Sequence, residues 1–367
     1  MTAPRLAPII AALPRTVPFV GPEALERTRG RPFRARMGAN ESPFGPSPHA
    51  IAAMARAAAE MNFYGDSENL ALRERLAERL GLPFAALTVG EGIDGLFGTV
   101  CRLYLAPGDA VVASLGAYPT FLYHVAAQGA VVTAVPYRND ANDLEALAEA
   151  AQRTRARMVY LANPDNPTGS MKSAAEVEAF IEAVPDETLI VLDEAYAEYC
   201  DPDHLPPVSA ERGNVMRFRT FSKAYGLAGM RLGYAFGHPD AIGGFDIIRN
   251  HFGVTRPGQA AALAALDDAE WLESVLARTR AGLDRIAAVA RENRLTPLPS
   301  ATNFLAIDCG GDGGFARAVL DGLAARDVFI RKPAAPGLDR LIRVSIGRPD
   351  EVEIFAQALG DVLSELR

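Results

Sequence analysis

The chain has 367 residues, enough for two or three domains and a large buried core. Its 49% hydrophobic and 22% charged residues are ordinary globular usage, which excludes a disordered chain or a coiled coil. A net charge of −8 with no basic stripe argues against nucleic acid as the main partner.

The N-terminal MTAPRLAPIIAALPRTVPFV has one short apolar run, APIIAAL, between prolines, and no basic region leading into a long apolar stretch. It reads as an arm. No run in the sequence approaches the roughly 18 apolar residues of a membrane span. Cys101, Cys200 and Cys309 form no CxxC or Cys/His cluster, so neither a disulfide framework nor a metal site is expected. A reduced, cytoplasmic chain is the expectation.

From His49 onward helix-like and strand-like segments alternate without internal repeats. Helices are expected at HAIAAMARAAAEM, at NLALRERLAERL behind a Ser67 cap, and at IDGLFGTVCRLYL. Strands are expected at AVVAS (110–114), AVVTAVPY (130–137), RMVYLAN (157–163), TLIVLDEAY (188–196), VMRFRTFS (215–222) and RLGYAFG (231–237). Several of these are continuously apolar, as strands covered on both faces are. The helical patterns between them predict a mainly parallel α/β sheet flanked by helices. Beyond residue 258 an alanine-rich helical stretch runs through Arg294. It is followed by ATNFLAIDC, a helix, VFIRK, LIRVSIG and a final helix from Pro349, which together read as a smaller α/β unit. The expected organisation is an arm over 1–39 belonging with the small domain, a large domain over 40–257 and a small domain over 258–367.

Ligands of open α/β sheets bind at the carboxyl ends of the strands, so the polar residues there carry the functional signal. RMVYLA runs into NPDNPTG, whose Asx-Pro steps and glycine fix a turn presenting Asn163 and Asn166. TLIVL runs into DEAYAEY, placing Asp193 at the end of an apolar run, and VMRFR runs into TFSK with Lys223. A glycine pair in VGEGID precedes a helix. Taken singly, each motif has an ordinary structural reading: a tight turn for GEGID and NPDNPTG, a cap or ion pair for Asp193, a solvated cation for Lys223. Together they meet the needs of one cofactor. Pyridoxal phosphate requires an amine for its aldehyde, a carboxylate for its ring nitrogen, donors for its phosphate and a partner for its phenolic oxygen.

TFSKAYGLAG resembles the Schiff-base signature of the fold-type I pyridoxal-phosphate aminotransferases. In the same order along the chain, ANESPFGPSP, NFYGD, YPTF, NPDNPTG, DEAYAEY, TFSK and RVSIG look like the histidinol-phosphate aminotransferase branch. The resemblance covers residues 35 to 367 and implies that family's fold, a large α/β domain plus a smaller one. It implies Lys223 as the Schiff-base lysine and proton carrier, Asp193 at the pyridinium nitrogen, Asn166 and Tyr196 at the phenolic oxygen, and Tyr118 stacked on the ring. The phosphate would lie against the N–H groups of Ile93 and Asp94, the hydroxyls of Thr220 and Ser222, and Arg231. Tyr64 would reach the cofactor of a neighbouring subunit, which implies a homodimer with shared sites. Arg343 would clamp the substrate carboxylate, its planar fork matching two oxygens at once. Arg331 and Asn40 complete the implied substrate contacts.

The chain departs from that branch in two places. GEGIDG stands where GNGSDE is usual, so Ile93 removes a hydroxyl and Glu91 brings a negative charge toward an anion site. RNHFGV stands where a segment like RPPYNV is usual, offering His251, either a substrate contact or an ordinary packed or solvated residue, with Arg256 just beyond it. The implied activity is amino-group transfer between an L-amino acid or amino-alcohol phosphate and a 2-oxo acid, with histidinol phosphate and 2-oxoglutarate favoured. An aromatic or other amino-acid aminotransferase, and a decarboxylase of a phosphorylated amino acid on the same scaffold, remain open. A non-catalytic descendant would be expected to lack Lys223 or Asp193, and both are present.

Overall fold

Strands that are apolar at every position demand cover on both faces, and the computed structural model, which describes residues 4–15 and 19–367, supplies it. The strands, in chain order, are β1 (Ala35–Arg36), β2 (Leu87–Gly90), β3 (Ala110–Ser114), β4 (Val131–Val135), β5 (Met158–Ala162), β6 (Leu189–Asp193), β7 (Val215–Thr220) and β8 (Gly233–Gly237). They continue with β9 (Thr296–Pro297), β10 (Phe304–Asp308), β11 (Val328–Phe329) and β12 (Leu341–Ser345). Seven of them form one sheet in the order β2-β8-β7-β6-β5-β3-β4. β3 to β7 pair in parallel, as expected; β8 alone runs antiparallel to both its neighbours.

Alternate residues of each strand enter opposite layers, as the two-residue period requires. Met158, Tyr160 and Ala162 of β5 pack with Phe97, Val100 and Phe121, while Val159 and Leu161 pack with Leu147, Ala151, Val177 and Phe180. β2 was not expected: its four residues run straight into the glycines of GEG, and only pairing with β8 makes them a strand.

Two expected helix details differ. The helix Leu70–Leu80 is not capped by Ser67; the Asp66 carboxylate accepts from the N–H groups of Glu68 and Leu70. The long alanine-rich stretch is two helices, Arg256–Leu266 and Ala269–Glu292, the second opened by Asp268 accepting from the Trp271 N–H.

The smaller unit has an antiparallel sheet, β12-β10-β9, and a parallel pair, β1-β11, covered by the helices Gly313–Ala325 and Pro349–Leu366. Ala35 and Met37 are buried in its core with Val328, Val344 and Phe355, so the chain preceding the large sheet packs with its C-terminal part. Of the expected arm, residues 1–3 and 16–18 lie outside the described residues. Ala261, Ala262 and Leu266 pack instead with Leu72, Leu76 and Phe221 of the large unit. A division at 257/258 would separate that helix from its own core. We propose that it falls within Ala269–Glu292, where Leu272 still faces the large unit and Ile286 the small one.

Candidate active site

The parallel strands place four loops at one edge of the sheet, after Ser114, Ala162, Asp193 and Thr220. β8 runs the other way, so its beginning, Arg231–Gly233, lies at the same edge: Gly233 is registered against both Thr220 and Gly90. One physical fact, strand direction, thus gathers Tyr118, Asn166, Asp193, Lys223 and Arg231 from five separate segments.

The centre is desolvated. Lys223 Nζ donates to the Asn40 carbonyl oxygen at 3.1 Å and lies 5.8 Å from the Tyr196 ring centroid. Burial, then the charge of Arg343, lowers its pKa to about 8. Asp193 is 7% exposed, and burial raises its carboxyl from 3.8 to about 6 even though it accepts from Tyr160 Oη at 2.6 Å and the Ala195 N–H at 3.0 Å. Such a carboxylate lacks a cation, and a protonated nitrogen beside it would supply one. The sequence marks Tyr160 only as strand core; a tyrosine in an otherwise aliphatic run is the one available signal.

Tyr196 Oη accepts from Asn40 Nδ2 at 2.8 Å, and burial raises its pKa. Tyr118, half-buried just before the helix Pro119–Ala127, is raised to about 12 by burial and then by Asp94. Asn166 is reached from the small unit: its Oδ1 accepts from Arg343 Nη1. Arg343 Nη2 donates to the Gly38 carbonyl at 3.1 Å, and its Nε is buried without a partner. Arg331 is the backbone neighbour of Arg343, exchanging two hydrogen bonds with it. Its guanidinium donates to the Val20 carbonyl at 2.6 Å, lies over Phe19 and Phe329, and also has a buried Nε without a partner. Burial, then Arg343, lowers it to about 10. Two adjacent guanidinium groups, each with an unused donor, favour an anion between them.

A second anion cradle lies at the start of the helix Gly92–Tyr104, whose first turn has no side-chain cap. Ile93 and Asp94 open that helix. Arg231 faces it: its Nη2 is 3.6 Å from Asp94, and a Cβ on Gly92 would lie 2.8 Å from the same nitrogen. The φ of Gly92, +73°, favours glycine there, and a side chain would also displace the Arg231 guanidinium. Thr220 and Ser222 are buried beside it, but the Thr220 hydroxyl donates to the Leu232 carbonyl and accepts from the Ser222 N–H. Glu91 fills the space that a side chain on Gly253 would need, which ties the two departures, GEGIDG and RNHFGV, to each other.

Tyr64, Arg256 and His251 stand away from this centre. Tyr64 is 76% exposed and packs on Phe252 at 4.6 Å between ring centroids. Arg256 pairs with Glu60 at 2.9 Å and donates to the Tyr64 carbonyl, and His251 is exposed. Met61, Phe63, Ile247 and Phe252 are exposed nearby, an apolar surface of the kind subunits bury.

The sequence matches the family Aminotransferase class I and II over residues 35–359. A histidinol-phosphate aminotransferase of Symbiobacterium thermophilum is 37% identical over 95% of this chain and 96% of its own. A second one, from Pseudomonas aeruginosa, is 39% identical over 90% of this chain and 89% of its own. Among solved structures, histidinol-phosphate aminotransferase from Sinorhizobium meliloti in complex with pyridoxal-5′-phosphate is 48% identical, covers 100% of this chain and 99% of that one, and superposes with a TM-score of 0.97.

Proposed function

Because the chain belongs to the class I and II aminotransferases, we propose that it uses pyridoxal 5′-phosphate to move an amino group from histidinol phosphate to 2-oxoglutarate. The carrying observation is the meeting of Lys223 and Asp193, both desolvated at one strand edge, with the half-buried Arg343 that reaches Asn166 from the small unit. The residues fit the cofactor at both ends: an uncapped helix start with Arg231 suits its phosphate, and the cation-deficient Asp193 suits its ring nitrogen. When bound, the cofactor supplies an aldehyde to carry the amino group and a ring that accepts the electron pair left when the α-proton departs.

The chain's own groups do the rest. Asp193 keeps a proton on the ring nitrogen by making its loss cost a buried, unpaired charge. Lys223, with a pKa near 8, has a usable fraction of neutral amine at neutral pH. It would hold the cofactor's aldehyde and, as a free amine, would be the base that takes the substrate's α-proton. Asn166 and Tyr196 would hold the phenolic oxygen, and Tyr118 would pack against the ring. Ile93 and Asp94 offer backbone N–H groups, and Thr220, Ser222 and Arg231 line the phosphate. Arg343 grips the substrate α-carboxylate with a fork that a lysine could not replace. Asn40 and Arg331 line the rest of the substrate site, Arg331 toward the distal phosphate. Tyr64 reaches the site of a second copy across the exposed Phe63–Phe252 surface, making the enzyme a homodimer with shared sites; a monomeric holoenzyme in sedimentation would remove that reading. Three cysteines without a disulfide fit a reducing cytoplasm, and no helix among the described residues is long and apolar enough to cross a membrane.

The deciding experiment is a panel of amino donors with 2-oxoglutarate, including histidinol phosphate, phenylalanine and tyrosine. Histidinol phosphate should give the highest kcat/KM. Preference for an aromatic amino acid, or carbon dioxide release without transfer, would replace this reading.

A further inference from the structure

Asn40 sits at a left-handed backbone position, φ 55°, and its side-chain amide has two ends that differ only in what they can give or take. Which end faces Tyr196 decides the direction of that hydroxyl's proton. Ser345, on the same face of β12 as Arg343, engages Asn40 twice: its Oγ accepts from the Asn40 N–H at 3.0 Å and donates to Asn40 Oδ1 at 2.6 Å. Both residues are buried, Asn40 at 3% and Ser345 at 2% exposure. A hydroxyl has one proton and two lone pairs; one lone pair takes the Asn40 N–H, and Oδ1 is the acceptor for the buried proton, so turning the amide would leave that proton without a partner. That leaves Nδ2, a donor only, turned to Tyr196 Oη at 2.8 Å. Tyr196 must then accept there, and its own proton is free for the site.

We propose that Ser345 is a positioning residue that fixes the Asn40 amide so that the Tyr196 hydroxyl donates into the active site rather than away from it. Without Ser345 the amide can turn, presenting Oδ1 to Tyr196 and drawing the hydroxyl proton back. Asn303 cannot substitute, because its Nδ2 donates to the Asn40 main-chain carbonyl and leaves the side-chain amide free to rotate. The inference rests on the functional reading above, in which the Tyr196 proton is given to the cofactor's phenolic oxygen.

A donor to that oxygen favours its negative charge and so favours the deprotonated form of the lysine-bound cofactor. Losing the donor should raise the pH midpoint of the visible-band titration. The charged and titratable groups facing Lys223 and Tyr196 are Arg343, Glu41, Asp94, Asp193, Tyr118 and Tyr199, and every variant below leaves them in place. In the holoenzyme, Ser345→Ala should raise the midpoint by about one pH unit, the tenfold scale of one charge-assisted hydrogen bond. Tyr196→Phe should do the same, while Ser345→Thr, which keeps the hydroxyl, should titrate as the wild type. A Ser345→Ala midpoint equal to wild type beside a shifted Tyr196→Phe overturns the role of Ser345 and leaves the aminotransferase reading standing. An unshifted Tyr196→Phe overturns both the relay and the assignment of Tyr196, and a protein with no visible band overturns the functional reading itself. Should Ser345→Ala not fold, Asn40→Asp removes the same donor to Tyr196, and an unchanged midpoint there overturns the proposal.

Discussion

Replacing Asp193 by asparagine removes one charge from a buried site while keeping the shape of the side chain, and its two consequences have opposite signs. The carboxyl's pKa of about 6 in the fold, against an ordinary 3.8, means that ionised Asp193 is a burden on the protein before any cation joins it. That gap of about two pH units corresponds to roughly 3 kcal/mol. The sign follows from linkage: a carboxyl with a raised folded pKa costs nothing below pH 3.8, where it is protonated in both states, and its full cost is present above pH 6. The Ala195 N–H can still find its oxygen, and Tyr160 Oη can accept from the new amide, though its own proton then loses the acceptor it has in Asp193, so the full gain is an upper limit. Cofactor-free Asp193→Asn should therefore be more stable than the wild type by up to about 3 kcal/mol at pH 7.5, shrinking to roughly half of that at pH 5. Urea unfolding at the two pH values measures both. Activity moves the other way: a charge pair at about 4 Å in an effective dielectric of 20 is worth about 4 kcal/mol, so turnover should fall about a thousandfold. A variant that is no more stable at pH 7.5, or whose gain is the same at both pH values, would refute the desolvation argument. Turnover within tenfold of wild type would refute the pairing with the ring nitrogen.

Two further substitutions bear on the same loop. Lys223→Ala should not lower the urea midpoint of the cofactor-free protein, because burial makes the charged amine a cost at neutral pH; it should lose the borohydride-trapped cofactor adduct and about 10⁴-fold in amino transfer, the upper end of what a positioned base supplies, and a persisting adduct would place the reactive amine elsewhere. Gly226→Ala should destabilise by roughly 2–4 kcal/mol, because an alanine there meets both a left-handed backbone and the Gly45 carbonyl. A change below about 0.5 kcal/mol in urea unfolding would mean that the loop carrying Lys223 is not held against residues 45–46.

What was legible in the sequence were features written in single segments. Apolar runs long enough to be strands, each ending in a polar loop, place Asn166, Asp193 and Lys223 at one edge, because parallel strands share a direction. Arg231 was legible only through its motif. Its arrival at that edge depends on β8 running antiparallel, which no local pattern states. The role of Asp66 in place of Ser67, and the break at Asp267–Asp268, were missed because a cap depends on which side chain turns back to the N–H groups, and several polar residues there could have done so.

The small-unit half of the site illustrates the deeper limit. Period-two spacing puts Arg343 and Ser345 on one face of β12, and that much the sequence states. What the face meets comes from the far end of the chain: Ser345 donates its N–H to Met37 O at 2.8 Å, Arg343 reaches Gly38 O, and Asn40 then falls opposite Ser345. Residues 37–40 lie there because Ala35 and Met37 are buried in the small-unit core, before the chain crosses to the large sheet. The crossing itself thus builds the site. Asn40, at its far end, joins Lys223 and Tyr196 of one unit to Ser345 of the other, so the residue that orients the Tyr196 hydroxyl is itself held by both units.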